Sequence, residues 1–282
     1  MTHDPLAGAA ALRSRWATHH RIDHCGVAAA AVVTADAAEV ARLRADAGTS
    51  LKHADEQSVI AIAAVRRAAA ASPHLEPFDD WGVVVAPRWL GRFGVTAVID
   101  KYAAAGVRAV SPAAIPNYCL HAPAATVSLA LAARGPVFGV GGGSAHVADG
   151  LLTALGLQAG RDTPGAWLIL SEWDGPQDAG RGRAVALALV PSGAAGVPWT
   201  LSLRGEGVGR VESSRPDDPA PAVGPRRLDP TYTPGDLRAE VAAFPPPLLA
   251  GLAAFLTAHP AVRWDCPLDG GGELSLAREG DA

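Results

Sequence analysis

Lysine is almost missing from this chain: only Lys52 and Lys101 occur among 282 residues. Basic runs and interleaved aromatic and basic residues are missing too, and the formal charge is -4, so nucleic acid is not an expected partner. No uncharged apolar run reaches 18 residues, so no membrane span is expected. The first residues, MTHDPLAGAAALRSRW, carry no apolar stretch after their charges and do not read as a signal peptide. Cysteine is scarce: Cys25, Cys119 and Cys266 are odd in number, widely spaced and never in C-x-x-C. That pattern excludes a disulfide framework or zinc ribbon and implies reduced thiols in the cytoplasm. The group His19, His20, Asp23 and His24 lacks a metal-ligand spacing and a second cluster, and it reads as a solvated segment. No metal and no cofactor are expected.

What is present is a core-forming composition, 49% hydrophobic, in a chain long enough for one large α/β domain with or without an appendage. Short apolar runs alternate with longer alanine-rich ones, as in βα units. The pattern predicts strands over 25–33, 81–87, 136–140, 166–172 and 183–193, and helices over 35–45, 53–71, 95–106 and 145–157. A further helix is expected within 116–135, entered after Pro123 and closed by Gly135. Residues 205–236 are dense in Pro, Asp and Arg and read as a long surface loop. A helix over 248–259 and a hairpin turning at the DGGG of 269–272 complete the chain. The expected layout is an N-terminal segment (1–24), an α/β unit (25–195), and a thinner tail (196–282).

The stretch GPVFGVGGGSAHVADGLLTAL (135–155) carries the chemistry. It holds no lysine, so it is not a P-loop, and Ser144 or His146 stands where a G-x-G-x-x-G fingerprint needs its third glycine. A strand, small residues and then a helix also describe an elbow, whose apex side chain stands exposed beside free helix N–H groups. Ser144 is the one reactive side chain at that apex. It is either a helix cap or the apex of such an elbow.

IPNYCLHAPAATVSLALAARGPVFGVGGGSAHVADGLLTAL (115–155) resembles, without a gap, the segment around the active-site cysteine of the β-ketoacyl-acyl carrier protein synthases of the thiolase-like superfamily. In that family an Ile-Pro stretch leads into a small-residue helix of the form A-G-x-V-S-I-x-x-G-L-x-G-P. A strand, the cysteine elbow and an alanine-rich helix follow. Val127-Ser128-Leu129 and Arg134-Gly135-Pro136 fall on the matching positions, and Ser144 falls on the cysteine. WGVVVAPRWLGR (81–92), DEQSVIAIAAVRRAA (55–69) and RAVALALV (183–190) extend the likeness over roughly residues 25–195.

The resemblance implies a thiolase-like layered α/β/α fold with a truncated or degenerate C-terminal half. It implies an acyl carrier protein or acyl-CoA as partner, with a homodimer or a heterodimer with an active ketosynthase. In that family the cysteine attacks an acyl thioester, and histidines from the second half assist. Here the cysteine is replaced by serine, a far weaker nucleophile without an adjacent base, and the second half offers only His259, at a helix end. Condensation is therefore not expected. Two readings remain: a ketosynthase-like partner subunit, much as chain-length factors are, or a Ser144-dependent acyltransferase or thioester hydrolase. The second would use the elbow N–H groups as oxyanion hole and His121 or a histidine of a partner chain as base, with Gly141, Gly142, Gly143 and Ala145 against the substrate. His146, two residues past Ser144, should point away from it. Arg13/Arg15, Arg181/Arg183 and Arg226/Arg227 are candidates for carrier docking.

Overall fold

The computed structural model describes residues 24–47, 51–112, 114–160, 163–175, 179–194, 196–204, 248–258, 263–268 and 273–278. The 205–236 loop, the DGGG turn, His259, and arginines 13, 15, 226 and 227 lie outside the described residues, as do His19, His20 and Asp23.

In chain order the elements are β1 (His24–Asp36), α1 (Ala37–Asp46), α2 (Glu56–Ala71), β2 (Gly82–Arg88), α3 (Arg92–Ala105) and α4 (Ala114–Tyr118). They continue with α5 (Ala122–Leu131), β3 (Val137–Gly139), α6 (His146–Ala159), β4 (Ala166–Asp174), β5 (Arg181–Val190) and β6 (Trp199–Arg204). The last three are α7 (Leu248–Thr257), β7 (Arg263–Pro267) and β8 (Glu273–Arg278). All the strands among the described residues share one sheet, ordered β3-β2-β4-β5-β1-β6-β8-β7.

Side-chain caps set several boundaries. Asp36 accepts from the Glu39 N–H and Asp55 from the Gln57 N–H, which starts α1 and α2. Gly106, at φ +73°, stops α3 where a C-terminal glycine is expected. Helix α5 departs from expectation: it ends at Leu131, with Ala132 rather than a glycine in the left-handed region (φ 56°). The Ser128 hydroxyl and the Ala133 N–H close that end, the first donating to Ala133 O at 2.7 Å and the second to Ser128 O at 2.9 Å. Gly135 instead lies against the Trp81 backbone, where a Cβ would not fit.

Strand β2 is parallel to β3 and β4, whereas β4–β5, β5–β1, β1–β6, β6–β8 and β8–β7 are antiparallel. The 175–180 link from β4 to β5 is too short for a crossover helix, so β5 must fold back antiparallel. Strand β6, which the sequence pattern did not mark, pairs with the start of β1 and joins the C-terminal hairpin to the sheet.

Helices cover both faces, giving an α/β/α arrangement. Face one packs α1, α2 and α5 against Ala29, Val83, Trp167 and Ala186; face two packs α6 and α7 against Val84, Leu168, Leu187 and Leu201. A bulge between Val27 and Ala29 turns β1 over, so that Cys25 and Val27 face α7's side while Ala29, Ala31, Val33 and Ala35 face α2's.

Candidate functional site

The elbow sits where the parallel strands end. After β3, the Val140 N–H donates to Val85 O and the Gly142 N–H to Pro87 O, both at 3.0 Å, which ties the turn to the last residues of β2. Gly141 and Gly142 hold φ of +84° and +90°, which other residues adopt only under strain. Gly139 is needed for a different reason: a Cβ there would run into the Leu120 carbonyl and the His121 Cα, so the 120–121 loop lies directly on β3. A Cβ on Gly143 would meet nothing within 4 Å, so space is open above the apex.

Helix α6 begins at His146, and its capping residue is Ala145, without a side-chain cap bond. Ser144 is therefore not a cap. It is exposed, and its hydroxyl makes no hydrogen bond among the described residues. The N–H groups of Ser144 and Ala145 likewise donate to no described group, which leaves two donors at the positive end of a fourteen-residue helix.

The two nearby histidines are placed differently. His146 is buried at 2% exposure, and neither ring nitrogen has a hydrogen-bond partner. Burial, with the Arg88 charge beside it, pushes its pKa down to about 4, so it is neutral and sequestered beneath the turn. His121 is exposed, immediately before α5, and no hydrogen bond joins it to Ser144. The elbow thus brings together Gly141, Gly142, Gly143, Ser144 and Ala145, with the 120–121 backbone alongside, but supplies Ser144 with no bonded base.

Beneath the elbow lies a polar row that sequence reasoning missed. Arg88 on β2, Glu172 on β4 and Arg183 on β5 stand in register across three strands. Glu172 Oε1 is 2.9 Å from Arg183 Nε and its Oε2 is 3.6 Å from Arg88 Nη1. Burial raises the Glu172 pKa in spite of both guanidinium groups. On the opposite face Gln57 binds the end of β2 (Nε2 to Arg88 O, 2.7 Å) and accepts from Ser171 Oγ at 3.2 Å. Trp89 follows in the left-handed region, φ 54°, with its indole N–H buried and unpartnered. The available signal was a charge closing each apolar strand, but its meaning depends on register.

Of the thiols, Cys25 and Cys266 are buried and pushed up to about 12 and about 11, while Cys119 is exposed; all three are free. Among the described residues no cluster of His, Cys, Asp and Glu could hold a metal, and no helix is long and apolar enough to cross a membrane.

No family profile and no curated protein matches the sequence. Solved structures do match in shape. The ishigamide ketosynthase/chain length factor superposes with a TM-score of 0.51 at 16% identity, over 64% of this chain and 67% of that one. A β-ketoacyl synthase from Burkholderia phymatum STM815 gives 0.51 at 13%, over 66% of this chain and 65% of that one. The ketosynthase ApeO in complex with its chain length factor ApeC, from Xenorhabdus doucetiae, gives 0.51 at 12%, over 90% of this chain and 99% of that one. The chain thus spans about two thirds of the length of the first two and nearly all of the third. Sequence identity this low speaks to architecture, and the architecture is that of the ketosynthases, in the thiolase-like layered form.

Proposed function

We propose that this chain is a ketosynthase-like subunit of fatty-acid or polyketide-type biosynthesis that does not itself condense acyl units. It acts in the cytoplasm as a homodimer or as the chain-length-factor-like partner of an active ketosynthase, and it shapes a site visited by an acyl carrier protein or acyl-CoA. The observation that carries this reading is the isolation of Ser144: its hydroxyl has no bonded imidazole, and the histidine nearest in sequence is buried and neutral. An unassisted serine hydroxyl is a poor nucleophile at neutral pH.

Among the described residues β3 is an edge strand paired on one side only, which supports a pairing role. It exposes Phe138 at 42%, near α5, whose Leu129 is 83% exposed. An unpaired strand edge bordered by apolar side chains favours burial against a second chain. Carrier docking is proposed for exposed arginines such as Arg181, since Arg183 is engaged by Glu172.

The free N–H groups of Ser144 and Ala145 favour the second reading, a Ser144-dependent acyltransferase or thioester hydrolase, because they could receive an oxyanion. Incubation with acyl-CoA and acyl-carrier thioesters followed by intact-mass measurement separates the two. The first reading expects no adduct on the wild type, and the appearance of a thiol adduct in Ser144→Cys. An acyl adduct on the wild type that disappears in Ser144→Ala would establish the second.

A further inference from the structure

Away from the elbow, a cavity of about 450 Å³ opens between the body and the segment that carries α3 and α4. Both of the chain's lysines line it: Lys52 from the turn before α2, and Lys101 from α3 on the opposite wall. Two lysines placed independently along a chain of 282 residues would seldom meet, and here both are exposed and neither forms an ion pair with any described residue.

Arg44 joins them on the body side. Its Nη2 donates to Ala54 O at 2.7 Å and to Glu56 Oε1 at 2.6 Å. The Glu56 carboxylate, which also lines the cavity, is thereby offset, and the two lysines remain as net positive charge. The Nε–H of Arg44 is buried without a partner, so its contribution to the cavity is the charge of its Nη groups beside Glu56. Tyr118 adds a hydroxyl, while Val98 gives the walls an apolar part. The volume exceeds what a single small ion fills and falls in the range of small-molecule sites.

We infer that this cavity is a binding site for a small phosphomonoester, whose phosphate is held between Lys52 and Lys101 while its organic part lies along the apolar wall. A phosphomonoester near neutral pH carries up to two negative charges, which match the two ammonium groups supplied by the turn before α2 and by α3. The α3 segment is lightly held: α3 packs mainly on the 107–109 turn and α4. The inference does not rest on the elbow reading, since no residue of the 139–146 turn lines the cavity.

Calorimetric titration of the full chain at fixed ionic strength tests it, with phenyl phosphate, inorganic phosphate and the monoanionic isostere phenyl sulfate as probes. The expected result is saturable one-to-one binding of phenyl phosphate, competition by inorganic phosphate, and binding of phenyl sulfate weaker by about tenfold or more. Lys52→Met and Lys101→Met should each weaken phenyl phosphate by about tenfold or more, the usual loss for one charge-assisted contact, while Arg181→Met leaves it unchanged. Both lysines are exposed, so these variants should fold, and a far-ultraviolet dichroism spectrum matching the wild type verifies this. No binding, binding that survives both lysine variants, or equal binding of phenyl sulfate would each overturn the assignment. None of these outcomes bears on acylation at Ser144.

Discussion

On face one of the sheet β1 and β5 carry mostly small side chains, Ala29, Ala31, Ala35, Ala184, Ala186 and Ala188, and the covering helix α2 brings the bulk in Val59, Ile60, Ile62 and Val65. On face two the strands themselves bring bulk, in Leu168, Leu170, Leu187 and Leu189, and α6 meets them with Gly150 and Ala154 beside Val147, Leu151 and Leu155. Flat alanine strands let α2 sink until eleven of its sixteen residues are buried, including Glu56, Gln57 and Ser58. Helix α6 lies close on β2 and β4 at Gly150, where a Cβ would crowd Ala86 and Leu170. Its outer side stays wet, with Leu152 at 39%, and its N-terminus surfaces with Ser144. The packing difference therefore separates a helix devoted to the core from one that presents an end to solvent.

The comparison breaks most sharply on the bulky strand face. Leu187 is fully buried on face two, and Leu187→Ala leaves a hole that neither α6 nor α7 can fill. A loss of about 2–5 kcal/mol is expected, read from the shift in urea midpoint at constant slope. A loss under about 1 kcal/mol would mean that face two is loosely packed.

Acidification sets one face against the other with nearly equal weight. His146, on face two, has its pKa lowered from 6.5 to about 4. Between those values the unfolded chain binds the extra proton, so this group contributes stability above pH 6.5 that is lost as pH falls through about 4. Asp55, which caps α2 on face one, has its pKa raised from 3.8 to about 6, chiefly by burial and then by the Glu56 charge. Here the folded chain binds the extra proton, so its contribution grows as pH falls from about 6 to 3.8. Each shift corresponds to about 3 kcal/mol at most, with opposite sign over the same window. Relative to wild type, His146→Gln should lose less stability between pH 7 and pH 4, and Asp55→Asn, which keeps the cap, should lose more. Denaturant midpoints at the two pH values check this, and identical pH dependence in all three proteins would refute it.

The small strand face should resist bulk more weakly than the large face resists its removal. Ala186→Leu pushes into α2 and is expected to cost about 1–3 kcal/mol by urea titration. A neutral result would mean that α2 can lift away from the sheet.

The stretch 115–155 was the most legible in the sequence because its information is local: glycines where φ must be positive, Pro123 in the first turn of α5 (which starts at Ala122 rather than after that proline), an alanine-rich helix afterwards. The likeness to the ketosynthases rested on that stretch, and the fold agrees with it. Helices α1 and α2 were also legible through their apolar pattern, and the caps that set their starts, Asp36 and Asp55, act within three residues. Strand order was not. Whether β5 runs parallel or antiparallel depends on the length of one link, and β6 earns its place only by pairing with residues far away in sequence. The Arg88–Glu172–Arg183 row was hidden for the same reason, since three charges at strand ends become neighbours only once register is fixed. The meeting of Lys52 and Lys101 depended on how α3 folds back toward α2.

The smallest expected effect addresses the elbow itself. Were Ser144 a helix cap, Ser144→Ala would remove its bond to the first turn and cost about 1 kcal/mol. In the structure Ala145 occupies the cap position and the Ser144 hydroxyl is exposed and bonds no described group. The substitution should therefore change the urea midpoint by no more than the scatter of surface variants, about 0.5 kcal/mol. A serine that contributes nothing to its own helix is held at the apex by the glycines before it and the buried histidine after it. The shape of the turn is then independent of its side chain, so any function of that hydroxyl must come from what approaches it. A measured loss near 1 kcal/mol would return Ser144 to the role of a cap and weaken the contrast between a buried α2 and an α6 whose end is open.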